Sequence, residues 1–194
     1  MKILYLGPYR ERMIDLIRSL GDGVLQTEER LTADDPVLDD VDFVVSYGYR
    51  YILREEFIAR FPDRIVNLHI SLLPYNRGAD PNLWSFLEDT PKGVTIHSID
   101  CGVDTGLIIA QEEVPMREDD TLSTSYARLT ETIERLFESY WPAIRSGEAE
   151  RMPQAPGGTA HRLKDKKPYL DLLTDGWDTP VCMLTGKALV EHEG

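Results

Sequence analysis

The stretch Asn67-Leu68-His69-Ile70-Ser71-Leu72-Leu73-Pro74 decides how this chain is read. With Ile65 and Val66 before it, its start has the apolar, β-branched character of a buried strand, and Pro74 closes the loop that follows. Asn67 and His69 are two residues apart, so in extended backbone they point to one face. They stand at the C-terminal end of the strand, where open α/β sheets bind ligands. Downstream, Arg77-Gly78 and Asp104-Thr105-Gly106 add a cation and a carboxylate.

Outward from that strand the pattern alternates. Ile3 to Leu6 reads as a buried strand stopped by Gly7-Pro8. Met13, Leu16, Ile17 and Leu20 keep helical spacing up to Gly21. A short strand is expected around Val24-Leu25, and the acidic stretch from Thr27 to Asp42 reads mostly as loop. Phe43 to Tyr47 is a strand closed by Gly48, and Phe57, Ile58 and Phe61 suit a short helix. Asp80-Pro81 is a helix start, with Asp as cap and Pro at the first helical position. Leu83, Trp84 and Leu87 would face inward from that helix.

Val94 to Ile99 and Leu107 to Glu112 read as two further strands, joined by a loop rich in Gly and Asp. From Leu122 to Ile144 apolar residues keep helical spacing over a long run, which Pro142 should end or kink. The alternation argues for an α/β fold with a doubly wound, mainly parallel, Rossmann-like sheet, the later strand pair adding an antiparallel part. Residues 1–148 read as the catalytic domain. Residues 149–194 read as an irregular C-terminal extension, with Gly157-Gly158, Lys164 to Pro168 and Gly176-Trp177-Asp178.

Bulk properties narrow the function. The chain has 194 residues, 42% hydrophobic residues and a formal net charge of -13. That suits one domain with a small appendage, and so acidic a surface repels phosphate backbones, so no nucleic acid partner is expected. No apolar run approaches the roughly 18 residues of a bilayer span, and no signal-peptide pattern opens the chain. Cys101 and Cys182 form neither a disulfide framework nor a zinc site; no metal is expected, and a reducing cytoplasm is the default. No G-x-S-x-G elbow, Walker A loop or G-x-G-x-x-G occurs.

The candidate chemistry is acyl transfer to an amine. The Asn67 amide can donate to a developing oxyanion, and His69 can donate a hydrogen bond or carry a proton. A carboxylate meeting His69 would raise its proton affinity. Asp104, in a Gly-bounded turn, is favoured, with Asp100 as rival. A lone His beside a strand is ordinarily just a satisfied polar residue, and His97, inside a strand pattern, reads as structural or supporting. His161 and His192 fall in the irregular tail, and Glu118-Asp119-Asp120 reads as a solvent face plus a helix start.

The run from Asn67 to Gly78, then Pro81, then Gly93-Val94-Thr95-Ile96-His97, then Val103-Asp104-Thr105-Gly106 resembles the 10-formyltetrahydrofolate-dependent formyltransferases; Asn76 to Asn82 with Gly157-Gly158 and His161 looks most like the sugar N-formyltransferases. The resemblance covers about Phe43 to Phe137. It implies Asn67, His69 and Asp104 as catalytic residues. It implies a folate pocket along Tyr47, Tyr49, Ile52 and Leu53, and a pterin-gripping loop at Ile99, Asp100, Gly102 and Val103. Ser71 and Arg77 match the loop that shapes the acceptor site, and Tyr75, Asn76, Asp80 and Trp84 are candidate contacts, with plain packing or solvation the alternative for these four. The co-substrate would be 10-formyltetrahydrofolate, and the acceptor an amino sugar linked to a nucleotide.

Departures sharpen the expectation. Ile70 stands where the family often has Pro, and no Gly-rich phosphate loop follows the first strand, which counts against a purine-pathway enzyme. The N-terminal half looks shortened by about one strand-helix unit, and no tRNA-binding barrel fits after Phe137. Formylation of a hydroxyornithine, hydrolysis of the folate and a non-catalytic folate-binding module remain the alternatives. A homodimer through the long helix, using Tyr140 and Trp141, is one option; both residues could equally be core.

Overall fold

A computed structural model describes residues 1–189; His192 lies outside the described residues. In chain order the elements are β1 (Lys2–Leu6), α1 (Glu11–Ser19), β2 (Gly23–Thr27), β3 (Phe43–Tyr47), α2 (Glu55–Ile58), β4 (Ile65–His69), β5 (Arg77–Gly78), α3 (Pro81–Leu87), β6 (Gly93–Ser98), β7 (Ile108–Glu113), α4 (Leu122–Ser146) and β8 (Ala160–His161). Short 3-10 turns cover Pro36–Leu38, Lys167–Leu172, Gly176–Asp178 and Val181–Met183.

Six strands form one sheet in the order β2-β1-β3-β4-β6-β7, and β5 pairs with β8. β1 runs parallel to β2 and to β3, and β3 runs parallel to β4. Parallel strands buried on both faces read as continuous apolar runs, and Ile3 to Leu6 and Phe43 to Val45 are each at most 2% exposed. β6 and β7 pair antiparallel: Ser98 N–H donates to Leu107 O, and Val114 N–H donates to Lys92 O. The expected Rossmann-like sheet with an antiparallel edge is what the chain forms.

The chain divides into two compact units. The first is Met1–His69, Ile96–Ala110 and Glu134–Gln154; the second is Ile70–Thr95, Gln111–Ile133 and, of the described residues, 155–189. The first packs Leu4, Leu6, Leu38, Val44, Phe57, Phe61 and Ile65 together, with Tyr49, Leu53 and Ile99 against them. The second packs Leu83, Trp84, Phe86, Leu87 and Leu122 with Val181, Leu184 and Ala188 of the C-terminal segment. No helix among the described residues is long and apolar enough to cross a membrane.

Two expectations change, at Asp80 and Asp120, and two open alternatives are narrowed, at Pro142 and Trp141. α4 runs through Pro142 to Ser146. Proline lacks the N–H that a helix interior uses, yet here Trp141 and Ile144 are buried, and Trp141 meets Phe43 edge-on at 5.3 Å and stacks on Phe137 at 5.0 Å. Of the two readings open for these residues, Trp141 takes the core one, while Tyr140 is exposed. Asp80 precedes α3 in the left-handed region, φ 52°, and makes no side-chain cap; its carboxylate instead pairs with Lys166 Nζ at 2.8 Å. Asp120 is buried rather than solvated, held by Arg128 at 2.6 and 2.8 Å.

Candidate active site

β4 carries Asn67 and His69 on one face, as the period of an extended strand requires. His69 is 6% exposed and Asn67 is half-buried. The loop between β6 and β7 supplies Asp104, in the left-handed region at φ 52°. Aspartate tolerates that conformation better than most residues, so this position keeps a carboxylate where a glycine would turn more easily.

Three features hold the loop. Asp100 accepts from Gly102 N–H at 3.0 Å and from Thr105 Oγ1 at 2.6 Å. Gly106 leaves no room for a side chain, because a Cβ there would lie 1.7 Å from Ser98 O. Gln154 Nε2 donates to Asp104 O at 2.8 Å and to Gly106 O at 2.9 Å. Asp100 thus shapes the turn, and Asp104 is the carboxylate that reaches the strand residues.

Asn67 Nδ2 lies 3.2 Å from Asp104 Oδ1. His69 Nδ1 lies 3.7 Å from Asp104 Oδ2, a separation that catalytic hydrogen bonds often show before substrate binds. His97, read from the sequence as structural or supporting, joins the same cluster. It is 1% exposed, with Nε2 3.2 Å from Asn67 Nδ2 and 3.4 Å from Asp104 Oδ1. Its Nδ1 is 2.8 Å from Ser98 O. An amide, two imidazoles and a carboxylate can position an amine, hold an oxyanion and carry a proton. Among the described residues no group of three or more His, Cys, Asp or Glu is placed to hold a metal ion.

The folate-pocket candidates also belong to the first unit. Ile52 and Val103 expose apolar side chains, at 77% and 47%. Tyr47 is buried beneath the Arg10 guanidinium, 4.2 Å from its ring centre. Tyr49 donates its hydroxyl to Glu29 O at 2.8 Å, and burial pushes that hydroxyl's pKa up. Leu53 and Ile99 pack on the core, while Asp100 and Gly102 lie in the exposed turn. A cleft of about 260 Å³ is lined by Ile99, Asp100 and Thr105, with Asn67, His69 and Asp104 outside its lining.

The acceptor-site candidates lie in the second unit and divide in two. Ser71 donates to Tyr75 O at 2.7 Å and is buried, closing its own turn. Asn76 is 0% exposed at φ 56°; it donates to Glu88 Oε2 at 3.2 Å and accepts from Thr90 Oγ1 at 2.7 Å, and its backbone N–H donates to Thr159 Oγ1 at 2.9 Å. Asp80 is taken by Lys166. Tyr75 and Arg77 are partly exposed, and Arg77 Nη1 is 3.5 Å from Gly157 O.

Sequence reasoning missed the partners of this loop. Glu88 Oε1 pairs with His161 Nε2 at 3.0 Å, and the His161 ring stacks on Trp84 at 3.7 Å. Nothing local to Glu88 or Thr159 signals those contacts. Gln154 was missed for the same reason, being far along the chain in a stretch read as irregular.

Comparison with known proteins gives the family. The formyl transferase pattern matches residues 28–139. The formyltransferase PseJ from Anoxybacillus kamchatkensis, crystallised with UDP-4,6-dideoxy-4-formamido-L-AltNAc and tetrahydrofolate, is 58% identical, with 97% of this chain and 100% of that one covered and a TM-score of 0.95. A sugar N-formyltransferase from a Shewanella species shares the fold at 21% identity, over 87% of this chain and 79% of that one, TM-score 0.75. Methionyl-tRNA formyltransferase from Clostridium thermocellum shares it at 15% identity, over 84% and 72%, TM-score 0.65. A family pattern spanning more than half of the chain and a relative 58% identical over its full length give the same answer: the protein is a member of the formyl transferase family.

Proposed function

We propose that this enzyme transfers the formyl group of 10-formyltetrahydrofolate to the 4-amino group of a UDP-linked 4-amino-4,6-dideoxy sugar. The observation that carries the reading is the full-length likeness to PseJ, whose crystal holds a UDP-linked 4-formamido sugar beside tetrahydrofolate. Such a pair is what the transfer leaves behind.

The folate supplies the formyl carbon. A neutral acceptor amine bonds to that carbon, the bond from carbon to the folate nitrogen breaks, and one proton passes from the amine to the departing nitrogen. His69 gives a hydrogen bond to the intermediate oxyanion, and Asp104, 3.7 Å from its Nδ1, orients the imidazole. Asn67 is the third catalytic residue. Exposed Ile52 and Val103, with Tyr47, Tyr49, Leu53 and the turn from Ile99 through Asp100 and Gly102, offer the apolar surface and backbone groups that a flat pterin needs.

Tyr75 and Arg77 are partly exposed acceptor candidates, and a planar guanidinium suits a diphosphate. Ser71, Asn76 and Asp80 act by holding the loop. The net charge of -13 argues against a nucleic acid acceptor. Exposed, unpaired Cys101 and Cys182 suit a reducing cytoplasm.

The test follows tetrahydrofolate release and product mass with the UDP-linked amine, with other nucleotide-linked amines, and without amine. Release that needs an amine, with the UDP-linked sugar preferred, is the expected result. Release without any amine would make the protein a hydrolase, and folate binding without release would make it a binding module.

A further inference from the structure

The Asn67 amide can face its neighbours two ways, and the charges around it allow one. Its Nδ2 lies 3.2 Å from Asp104 Oδ1 and 3.2 Å from His97 Nε2. An ionised carboxylate only accepts hydrogen bonds. Turned over, the amide would set its carbonyl oxygen against a carboxylate oxygen, so the nitrogen must face Asp104. That same nitrogen then faces His97 Nε2, which has to offer a lone pair. A neutral imidazole with an accepting Nε2 carries its proton on Nδ1. His97 Nδ1 is 2.8 Å from Ser98 O, an atom that needs a donor. A proton on Nε2 would meet the Asn67 N–H head-on. With the proton on Nδ1, Asp104 Oδ1, His97 Nε2 and Ser98 O each accept from a donor; because His97 Nε2 also lies 3.4 Å from Asp104 Oδ1, the competing arrangement is an imidazolium that donates to both Ser98 O and Asp104.

The geometry points to His97 as a positioning residue that holds Asn67 with its amide nitrogen turned into the cluster and its carbonyl oxygen left for the acceptor amine. This rests on the proposed formyl transfer and deepens it. Asn67 Oδ1 accepts a hydrogen bond from an N–H of the attacking amine, which fixes where the amine's lone pair points. The oxyanion then takes its hydrogen bond from His69. The sequence had suggested the reverse role for Asn67, as donor to the oxyanion. The two imidazoles beside Asp104 divide their work: His97 Nε2 accepts from the Asn67 amide, and His69 donates to the oxyanion.

Two measurements test the assignment. In the first, ¹⁵N-histidine-labelled protein at neutral pH is read by NMR, with signals assigned from single-histidine variants. His97 is expected with a protonated Nδ1 and an unprotonated Nε2; a proton on Nε2, or on both nitrogens, overturns the proposal. In the second, His97→Phe, Asn67→Ala and the double variant are compared by kcat and by KM for folate. His97→Phe is expected to lower kcat by about 100-fold with little change in KM. In the Asn67→Ala background it should cost less than about threefold, because its effect runs through the amide. Equal losses in both backgrounds would show a role independent of Asn67. If His97→Phe does not fold, the NMR reading on the unaltered protein decides. A wild-type protein with no amine-dependent transfer would sink the proposed function, while the His97 tautomer would still be readable.

Discussion

The two units handle buried polarity by different means. In the first, the polar side chains of the candidate active site come from β4, from β6 and from the loop that leaves β6, so strands set their spacing. In the second, the loop after His69 is held by side chains drawn from far along the chain, with Asn76 and Thr159 separated by 83 positions. Asn67, His69 and His97 keep their geometry through the hydrogen-bond ladder and only Asp104 depends on a loop clasped by Gln154, whereas the whole loop after His69 keeps its shape only while its distant partners stay docked. The first arrangement suits chemistry, where about 1 Å matters. The second suits recognition, where loops vary.

The comparison predicts how damage should separate. The largest effects belong to the strand cluster. Asn67→Ala, His69→Ala and Asp104→Ala should each lower kcat by ~100-fold or more while folate binding, measured by titration, persists. Asp100→Asn should cost far less, since Asp100 shapes the turn rather than reaching Asn67 or His69. Equal losses at positions 100 and 104 would erase the distinction between turn and catalyst.

Next comes the clasp of the loop in the second unit. Gly158 has φ +85°, and a Cβ there would lie 2.0 Å from Pro74 O. Gly158→Ala should destabilise by about 2–3 kcal/mol. It should raise KM for the acceptor while leaving folate affinity near that of the wild type. A change confined to folate affinity would mean that the loop does not serve the acceptor.

A smaller effect is expected at the ion pair that anchors the first unit. Arg145 holds the Asp22 carboxyl below the ordinary carboxylate range, and the Asp22 side chain is fully buried. Asp22→Asn should cost about 2 kcal/mol at neutral pH, a fall in Tm of roughly 4–8 °C. Asp22 has a lowered pKa in the folded state, so its contribution is complete above the ordinary value of about 3.9 and is lost as pH falls through the folded value. The Tm difference between variant and wild type should therefore shrink on acidification below about pH 4. A gap that persists there would remove the ion pair as its cause.

The smallest change is expected at Lys166, which pairs with Asp80 while both side chains are partly exposed. Lys166→Met should cost less than about 1 kcal/mol by thermal unfolding. A loss as large as that of Gly158→Ala would make the pair, rather than the β5–β8 contact, the clasp of that loop.

Most of the sheet was legible because buried parallel strands write themselves as short apolar runs, as at Ile3 to Leu6 and Phe43 to Tyr47. Asn67 and His69 were legible through their spacing, and Asp104 through its Gly-bounded turn and the family resemblance. Pro142 does not end the helix, because the packing of Trp141 and Ile144 carries α4 past it to Ser146. Asp80 misled because a cap needs a backbone conformation that φ 52° does not supply. Asp120 looked solvated only until Arg128, two helical turns on, came back to meet it.

By itself the sequence determined the alternation of strands and helices, the family, and which residue types are available for acyl transfer to an amine. Those follow from hydrophobic periodicity and from short motifs, which are local properties of the chain. Only the tertiary structure decided that His97 shares the cluster, that the Asn67 amide nitrogen turns inward, and that Ser71, Asn76 and Asp80 hold a loop. Hydrogen-bond direction depends on which donors and acceptors meet in space, and residues 30 or more positions apart meet only once the sheet has folded.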